Sequence, residues 1–181
     1  MQRENDEPNN YYDMLTEEQR MYFETAMDLA EQALRHQEVP VGCVFVYDGQ
    51  IIGRGMNEVN KTKNATQHAE FVAFREIEDW CKKNGKDFCQ VMSNTSLFVS
   101  LEPCIMCASA LYQLRIREIF YGASNPRFGG VKSVSGNAQY GHDHEMAIFA
   151  DVDVERSIAM LRRFYERENP FAPDEKRKLK S

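Results

Sequence analysis

The sequence predicts an α/β domain of three layers, with helices on both faces of a central mixed sheet of about five strands. Three observations lead there. A hairpin pattern, "VPVGCVFVYDGQIIGRGMN", follows the first amphipathic helix. A strand-helix-strand unit running from "TSLFVS" to "REIFYG" reads as a β-α-β crossover. The full order is α-β-β-α-β-α-β, then a weak strand and a helix. At 181 residues the chain can bury one core and still carry terminal extensions. The expected organisation is a flexible segment over 1–15, a domain over 16–170 and a basic tail over 171–181.

Thr16 opens the first helix, with Gln19 as its capping-box partner and Tyr22, Ala26, Leu29, Ala30 and Ala33 at helical spacing behind it. The run from Val41 to Tyr47, a turn at Asp48-Gly49 and a strand from Ile51 toward Met56 make the hairpin. Thr66 is the expected N-cap of the next helix, whose Ala69, Val72, Ala73, Ile77 and Trp80 repeat until Asn84-Gly85 stops it. Pro103, tolerated at the first helical position, starts a helix through about Leu114. A glycine-rich loop, "NPRFGGVKSVSGN", leads to a weak strand near Met146 to Phe149. Asp153 caps the last helix, with Ile158, Leu161 and Tyr165 inward, and Pro170 and Pro173 end it.

Composition excludes several classes. No apolar run approaches the roughly 20 residues that span a bilayer, and the polar start "MQRENDEPNN" is unlike a secretory signal. Five cysteines, an odd number at irregular spacing, fit a reducing compartment. The expected location is intracellular, in nucleus or cytoplasm, with no membrane partner. A formal net charge of −6 argues against a protein that coats nucleic acid along its whole surface, although the end "KRKLKS" is basic.

The chemistry concentrates at two helix starts. In "QHAEFVAF", His68 and Glu70 do not share a helix face, so they converge only on a point beyond the helix end. In "EPCIMC", Cys104 and Cys107 stand at i and i+3 and present both sulfurs on one side. One imidazole and two thiolates suit a catalytic Zn²⁺, because three protein ligands leave the fourth tetrahedral position to water. Both helix N-termini would favour thiolates, and Glu70, beside the metal but not a ligand, would shuttle protons.

"HAE" followed by "PCIMC" matches the H-x-E…P-C-x-x-C signature of zinc-dependent nucleobase deaminases. With "EVPVGCV", "GRGMNEVN", "SLEPCIMCASAL" and "YGASNPRFGG", the stretch from about 16 to 170 resembles the tRNA-specific adenosine deaminases, and most of all the catalytic subunits of the eukaryotic wobble-adenosine deaminases. The resemblance implies the cytidine-deaminase fold and conversion of adenosine to inosine at the first anticodon position. It implies a base-contacting asparagine at Asn57, a backbone contact at Ala69 and a pocket residue at Val41. It also implies a partner, either a paralogous subunit lacking the catalytic glutamate or a second copy.

Each signal has a plainer reading. A lone His68 is a satisfied polar residue, and a lone C-x-x-C is a redox pair or half of a structural zinc site. Their joint occurrence with Glu70 and Pro103 favours catalytic zinc. Cys43, Cys81 and Cys89 read as small buried residues. His142 and His144 read as a polar loop rather than a second metal pair. Gly53 and Gly55 allow close approach of backbone to a base beside Asn57, or mark a bulged strand. Arg162, Arg163 and Arg167 read as a solvated face. Lys176, Arg177, Lys178 and Lys180 fit contact with the tRNA backbone, the favoured reading, as well as nuclear import or a bland end. The rival functions are a deaminase of free pyrimidine nucleosides or nucleotides, and a zinc-binding tRNA-binding subunit without turnover.

Overall fold

Alternation of side chains across one sheet builds two cores. The computed structural model describes residues 11–141 and 143–167. Its elements are α1 (Glu17–Arg35), β1 (Gly42–Tyr47), β2 (Gln50–Met56), α2 (Val59–Thr62), α3 (Ala69–Asn84), α4 (Phe88–Met92), β3 (Ser96–Val99), α5 (Ile105–Gln113), β4 (Glu118–Tyr121), α6 (Asn137–Tyr140), β5 (Ala147–Phe149) and α7 (Val154–Glu166). The short helices α2, α4 and α6 have no periodicity long enough to read from sequence. Strand order is β2-β1-β3-β4-β5, with β1 antiparallel to β2 and β3, and β3, β4 and β5 parallel. This is the expected three-layer mixed sheet of five strands.

Cys43, Phe45, Leu97, Val99, Ile119 and Tyr121 face α3, α4 and α5. The residues between them, Val44, Val46, Phe98 and Phe120, face α1 and α7. On that second face Phe98, Phe120 and Phe149 stack across three strands, with ring centroids 4.6 and 4.3 Å apart. Arg156 and Arg163 of α7 pair with Glu24 and Glu31 of α1 at 2.7 and 2.5 Å. Half-exposed pairs of this kind contribute about 0–1 kcal/mol each, so the buried apolar cluster holds the two helices together. Arg162 and Arg163 stay exposed, as a solvated face requires, with Arg163 paired to Glu31, while Arg167 donates to the Leu34 carbonyl at 3.1 Å.

The Thr16 capping box is present in both directions, Asp153 caps α7, and Gly85 ends α3 at φ 61°. Asp48 and Gly49 both have positive φ, as a two-residue hairpin turn requires. Two helix starts differ from expectation. Thr66 donates both its amide and its hydroxyl to Asn64 Oδ1 in a local turn, so α3 takes His68 as its N-cap. Pro103 lies two residues before the first residue of α5, because Cys104 is extended, bridges to Gly129 and becomes the N-cap. Cys89 is exposed, unlike buried Cys43 and Cys81, since α4 turns Val91 and Met92 inward instead.

Residues 11–14 form a 3-10 turn, Leu15 is buried, and the Tyr12 hydroxyl donates to Glu24 at 2.7 Å, so this end of the amino-terminal segment packs on α1. Pro170, Pro173 and the tail residues Lys176, Arg177, Lys178 and Lys180 lie outside the described residues, as does His142. No helix among the described residues is long and apolar enough to cross a membrane.

Candidate active site

β3 and β4 run parallel, and the chain leaves their carboxyl ends into the two segments 100–104 and 122–130. Such ends are where open α/β sheets place ligands. A cavity of about 630 Å³ opens there, lined by His68, Glu70 and Cys104, by Val41 and Asn57, and by residues 124–128. Its volume lies within the range of about 300–1,000 Å³ usual for small-molecule sites.

His68 and Cys104 arrive by the same local device. Each is an N-cap with extended backbone, φ −74° and ψ 161° for His68, φ −66° and ψ 169° for Cys104, and neither side chain caps its own helix. Both are thereby free to point beyond the helix end. Cys107, one turn into α5, completes the group. Cys104 Sγ lies 3.4 Å from His68 Nδ1 and 3.6 Å from Cys107 Sγ, and Cys107 Sγ lies 3.6 Å from His68 Nδ1. A tetrahedral zinc, with Zn–S about 2.3 Å and Zn–N about 2.0–2.1 Å, separates its sulfur and nitrogen ligands by about 3.6–3.8 Å. The three atoms therefore form one face of a zinc tetrahedron. Among the described residues they are the group of three or more such side chains close enough to share a metal ion.

Protons are contested within this group. Cys104 is pulled down to about 4, first by the Cys107 thiol and then by His68, while its partner Cys107 is pushed up by the same contact and by burial. Cys104 in turn raises His68. His68, Cys104 and Cys107 would hold a divalent cation as neutral imidazole and thiolates, which would end this sharing of protons. Glu70, 2% exposed, is raised by burial first and then by the Cys104 charge. A carboxyl poised above its ordinary range suits proton transfer better than one held ionised.

Asn57 is buried, and its Oδ1 accepts the Ala69 amide at 2.9 Å, taking the capping role that the His68 side chain leaves open. The Ala69 amide is thus engaged by Asn57, and Ala69 itself is fully buried rather than part of the cavity wall. The expected backbone contact at Ala69 reaches the cavity only through Asn57, whose Nδ2 makes no hydrogen bond among the described residues. Gly53 and Gly55 let β2 approach α3, not a ligand. A side chain on Gly55 would collide with the Ala69 carbonyl, and one on Gly53 with Ile77. The bulge reading also holds, since Phe45 pairs with Gly53 and Val46 with Ile51, leaving Ile52 over. His144 Nε2 lies 2.7 Å from the Ile116 carbonyl, so this ring is satisfied by backbone.

Several lining residues were not legible as such. Ile158, Leu161 and Tyr165, expected inward, line the cavity from α7, and Tyr165 is 65% exposed. Helical spacing identifies a face but not what the face meets. Residues 124–128 enter because their loop folds back over Cys104, and nothing in local spacing announces that. Buried Glu102, hydrogen-bonded to this loop, carries no spacing signal either.

Residues 16–123 match the cytidine and deoxycytidylate deaminase zinc-binding region. The chain is 46% identical over 165 residues to tRNA-specific adenosine deaminase 2 of Xenopus tropicalis, covering 90% of this chain and 97% of that protein. It is 39% identical over 153 residues to tRNA-specific adenosine deaminase subunit tad2 of Schizosaccharomyces pombe, covering 84% of this chain and 38% of that longer protein. A solved structure from studies of A-to-I editing by tRNA:A34 deaminases superimposes with a TM-score of 0.66 and 32% identity, over 78% of this chain and 99% of that one. The matched zinc-binding region and the likeness along nearly the whole of a relative agree with the ligand geometry: this chain belongs to the zinc-dependent deaminases, within the family of tRNA-specific adenosine deaminases.

Proposed function

We propose that this chain hydrolyses adenosine to inosine at the first anticodon position of tRNA, releasing ammonia. The observation that carries the reading is the convergence of His68, Cys104, Cys107 and buried Glu70 beside one cavity, in a chain so similar to named tRNA adenosine deaminases. His68 Nδ1 and the two sulfurs hold zinc. Bound there, zinc supplies an activated water, with its pKa lowered to about 7. Glu70 takes one proton from water and gives it to the purine ring nitrogen, then takes the second, from the hydroxyl that has added to the ring carbon, and gives it to the leaving amine. Ammonia thus departs, the carbonyl forms and the carboxyl ends each cycle as it began. Asn57 fixes the base through its Nδ2 donors while its Oδ1 holds the start of α3. Val41 supports it, the Val41 carbonyl accepting the Asn57 amide at 3.1 Å. An anticodon loop suits such a site, because its unpaired bases can be splayed into a pocket without breaking a duplex.

The active assembly pairs this chain with a second deaminase-like subunit, a paralogue without the glutamate or a second copy. The naming of the fission-yeast relative as a subunit supports this. The basic tail supplies further phosphate contacts, and the free state of all five cysteines supports an intracellular, reducing setting. Sequencing of tRNA anticodons after incubation with the chain alone, then with its candidate partner, tests the reading, since inosine is read as guanosine. Deamination of free pyrimidine nucleosides but not of tRNA would replace it with the pyrimidine-deaminase reading. Zinc and tRNA binding without ammonia release under either condition would make the chain a binding subunit.

A further inference from the structure

Glu102 precedes Cys104 by two residues, is 1% exposed, and turns both carboxylate oxygens toward one loop. Oε1 accepts the amides of Val131, Lys132 and Ser133 at 3.2, 2.7 and 2.9 Å. Oε2 accepts the Asn125 amide at 2.7 Å and the Ser133 hydroxyl. One side chain therefore grips both ends of the loop 125–133. A carboxylate has about four lone-pair sites, so these donors leave no capacity for substrate.

Two further features show that the arrangement is built around the carboxylate. Gly129 faces it closely, and a methyl group there would overlap the carboxyl carbon and oxygen. The gripped loop is also stitched to the ligand turn, the Ile105 amide donating to Phe128 at 3.0 Å and the Gly130 amide to Pro103 at 2.8 Å. Just before it, Asp151 accepts the Ser124 amide and hydroxyl at 2.7 and 3.1 Å. Asn125, Arg127 and Phe128, between these anchors, form a wall of the cavity.

We infer that Glu102 is a positioning residue for RNA recognition: it holds loop 125–133 as a fixed wall against the metal-ligand turn and thereby governs KM more than kcat. The inference rests on the deaminase reading above. A loop with unpaired amides would sample many positions, and each encounter with RNA would then have to order it again. The chemistry at His68, Glu70 and Cys104 is reached only after that ordering, so its rate changes less.

Glu102→Gln tests this, because its amide nitrogen cannot accept from N–H donors and one end of the loop is released. Zinc content, hydrogen exchange of the loop amides, and kcat and KM for tRNA are measured on the assembly that shows activity. Zinc is expected to stay at one per chain, and the amides of Asn125, Val131, Lys132 and Ser133 to exchange at least about tenfold faster. KM is expected to rise about tenfold or more, because the loop must be ordered at each binding event, with kcat changed by less than about threefold. Glu102→Asp, which keeps the carboxylate, restores part of the KM.

If Glu102→Gln does not fold, Gly129→Ala, which displaces the carboxylate, and Ser133→Ala, which removes one donor, are expected to raise KM in the same direction. An unchanged KM with faster exchange would overturn the inference, and so would unchanged exchange. Loss of zinc and kcat together would reassign Glu102 to support of the ligand turn. Exchange is read without substrate, so it tests the grip on the loop separately from the function. Absence of tRNA deamination by the unaltered assembly would overturn the proposed function instead.

Discussion

Helices α1 and α3 begin with almost the same backbone, Thr16 at φ −63° and ψ 161°, His68 at φ −74° and ψ 161°. Their side chains are used in opposite ways. The Thr16 hydroxyl accepts the Gln19 amide and the Gln19 side chain accepts the Thr16 amide, so the start of α1 is satisfied locally. The His68 ring accepts nothing from α3 and sits instead 3.4 Å from Cys104, itself the uncapping N-cap of α5. A side-chain cap is worth about 0.5–2 kcal/mol, so the α3 and α5 starts give up local stability that α1 and α7 retain. Asn57 supplies part of it to α3 from another strand. On one sheet face α1 and α7 start with a side-chain cap, whereas on the other α3 and α5 start with His68 and Cys104, which do not cap their own helices and meet each other.

Breaking the functional side should have the largest effect. Cys104→Ala is expected to lower zinc from one per chain to near none and to abolish inosine formation, as metal analysis and an ammonia assay would show. Retained zinc in this variant would mean that the N-cap position is not what delivers the ligand. Glu70→Gln should keep zinc and tRNA affinity while kcat falls by about 10²–10⁴-fold. Near-normal turnover would remove Glu70 from proton transfer.

Asn57→Ala sits on both sides of the comparison. Leaving the buried Ala69 amide unpaired should cost about 1–3 kcal/mol in denaturant unfolding, and the loss of Nδ2 should raise KM. A stability loss without any kinetic change would confine Asn57 to capping. Thr16→Ala, by contrast, should cost about 1 kcal/mol and leave kcat and KM alone; a kinetic defect there would erase the distinction between the two faces.

The smallest effect concerns pH and the α1–α7 contact. Arg156, above all, holds the Glu24 carboxyl below its ordinary 4.5, with the Tyr12 hydroxyl assisting and burial opposing. A carboxyl lowered in the folded state adds stability above its unfolded pKa and loses it as pH falls through the folded value. Melting curves of Arg156→Ala and the unaltered chain should therefore differ at neutral pH and converge below about 4.5. A constant difference across that range would assign the Arg156 contribution to packing of its stem.

Local information was enough for most elements. The capping box at Thr16, the turn at Asp48-Gly49 and the stop at Gly85 depend on residues within a few positions of each other, and such short-range chemistry survives in almost any tertiary setting. The cluster of His68, Cys104 and Cys107 was legible for a related reason: a motif at two helix starts names the candidate donors, and only their meeting point is missing. Two helix starts differ from the reading that puts an N-cap at Thr66 and a first helical residue at Pro103, because the competing partner, Asn64 in one case and Gly129 in the other, decides which residue turns the chain.

Sequence alone determined the three-layer sheet, its hairpin and crossover, and which residue types, one histidine, two cysteines and a glutamate, would stand at the helix starts beside the cavity, since periodicity and donor type are properties of short segments. Tertiary structure decided that Ala69 would be covered while Asn57 stayed open to the cavity, that α7 would lend Ile158, Leu161 and Tyr165 to its wall, and that Glu102 would gather amides from both ends of one loop. Those outcomes follow from which surfaces meet when the sheet is covered, and residue spacing along the chain does not carry that distance.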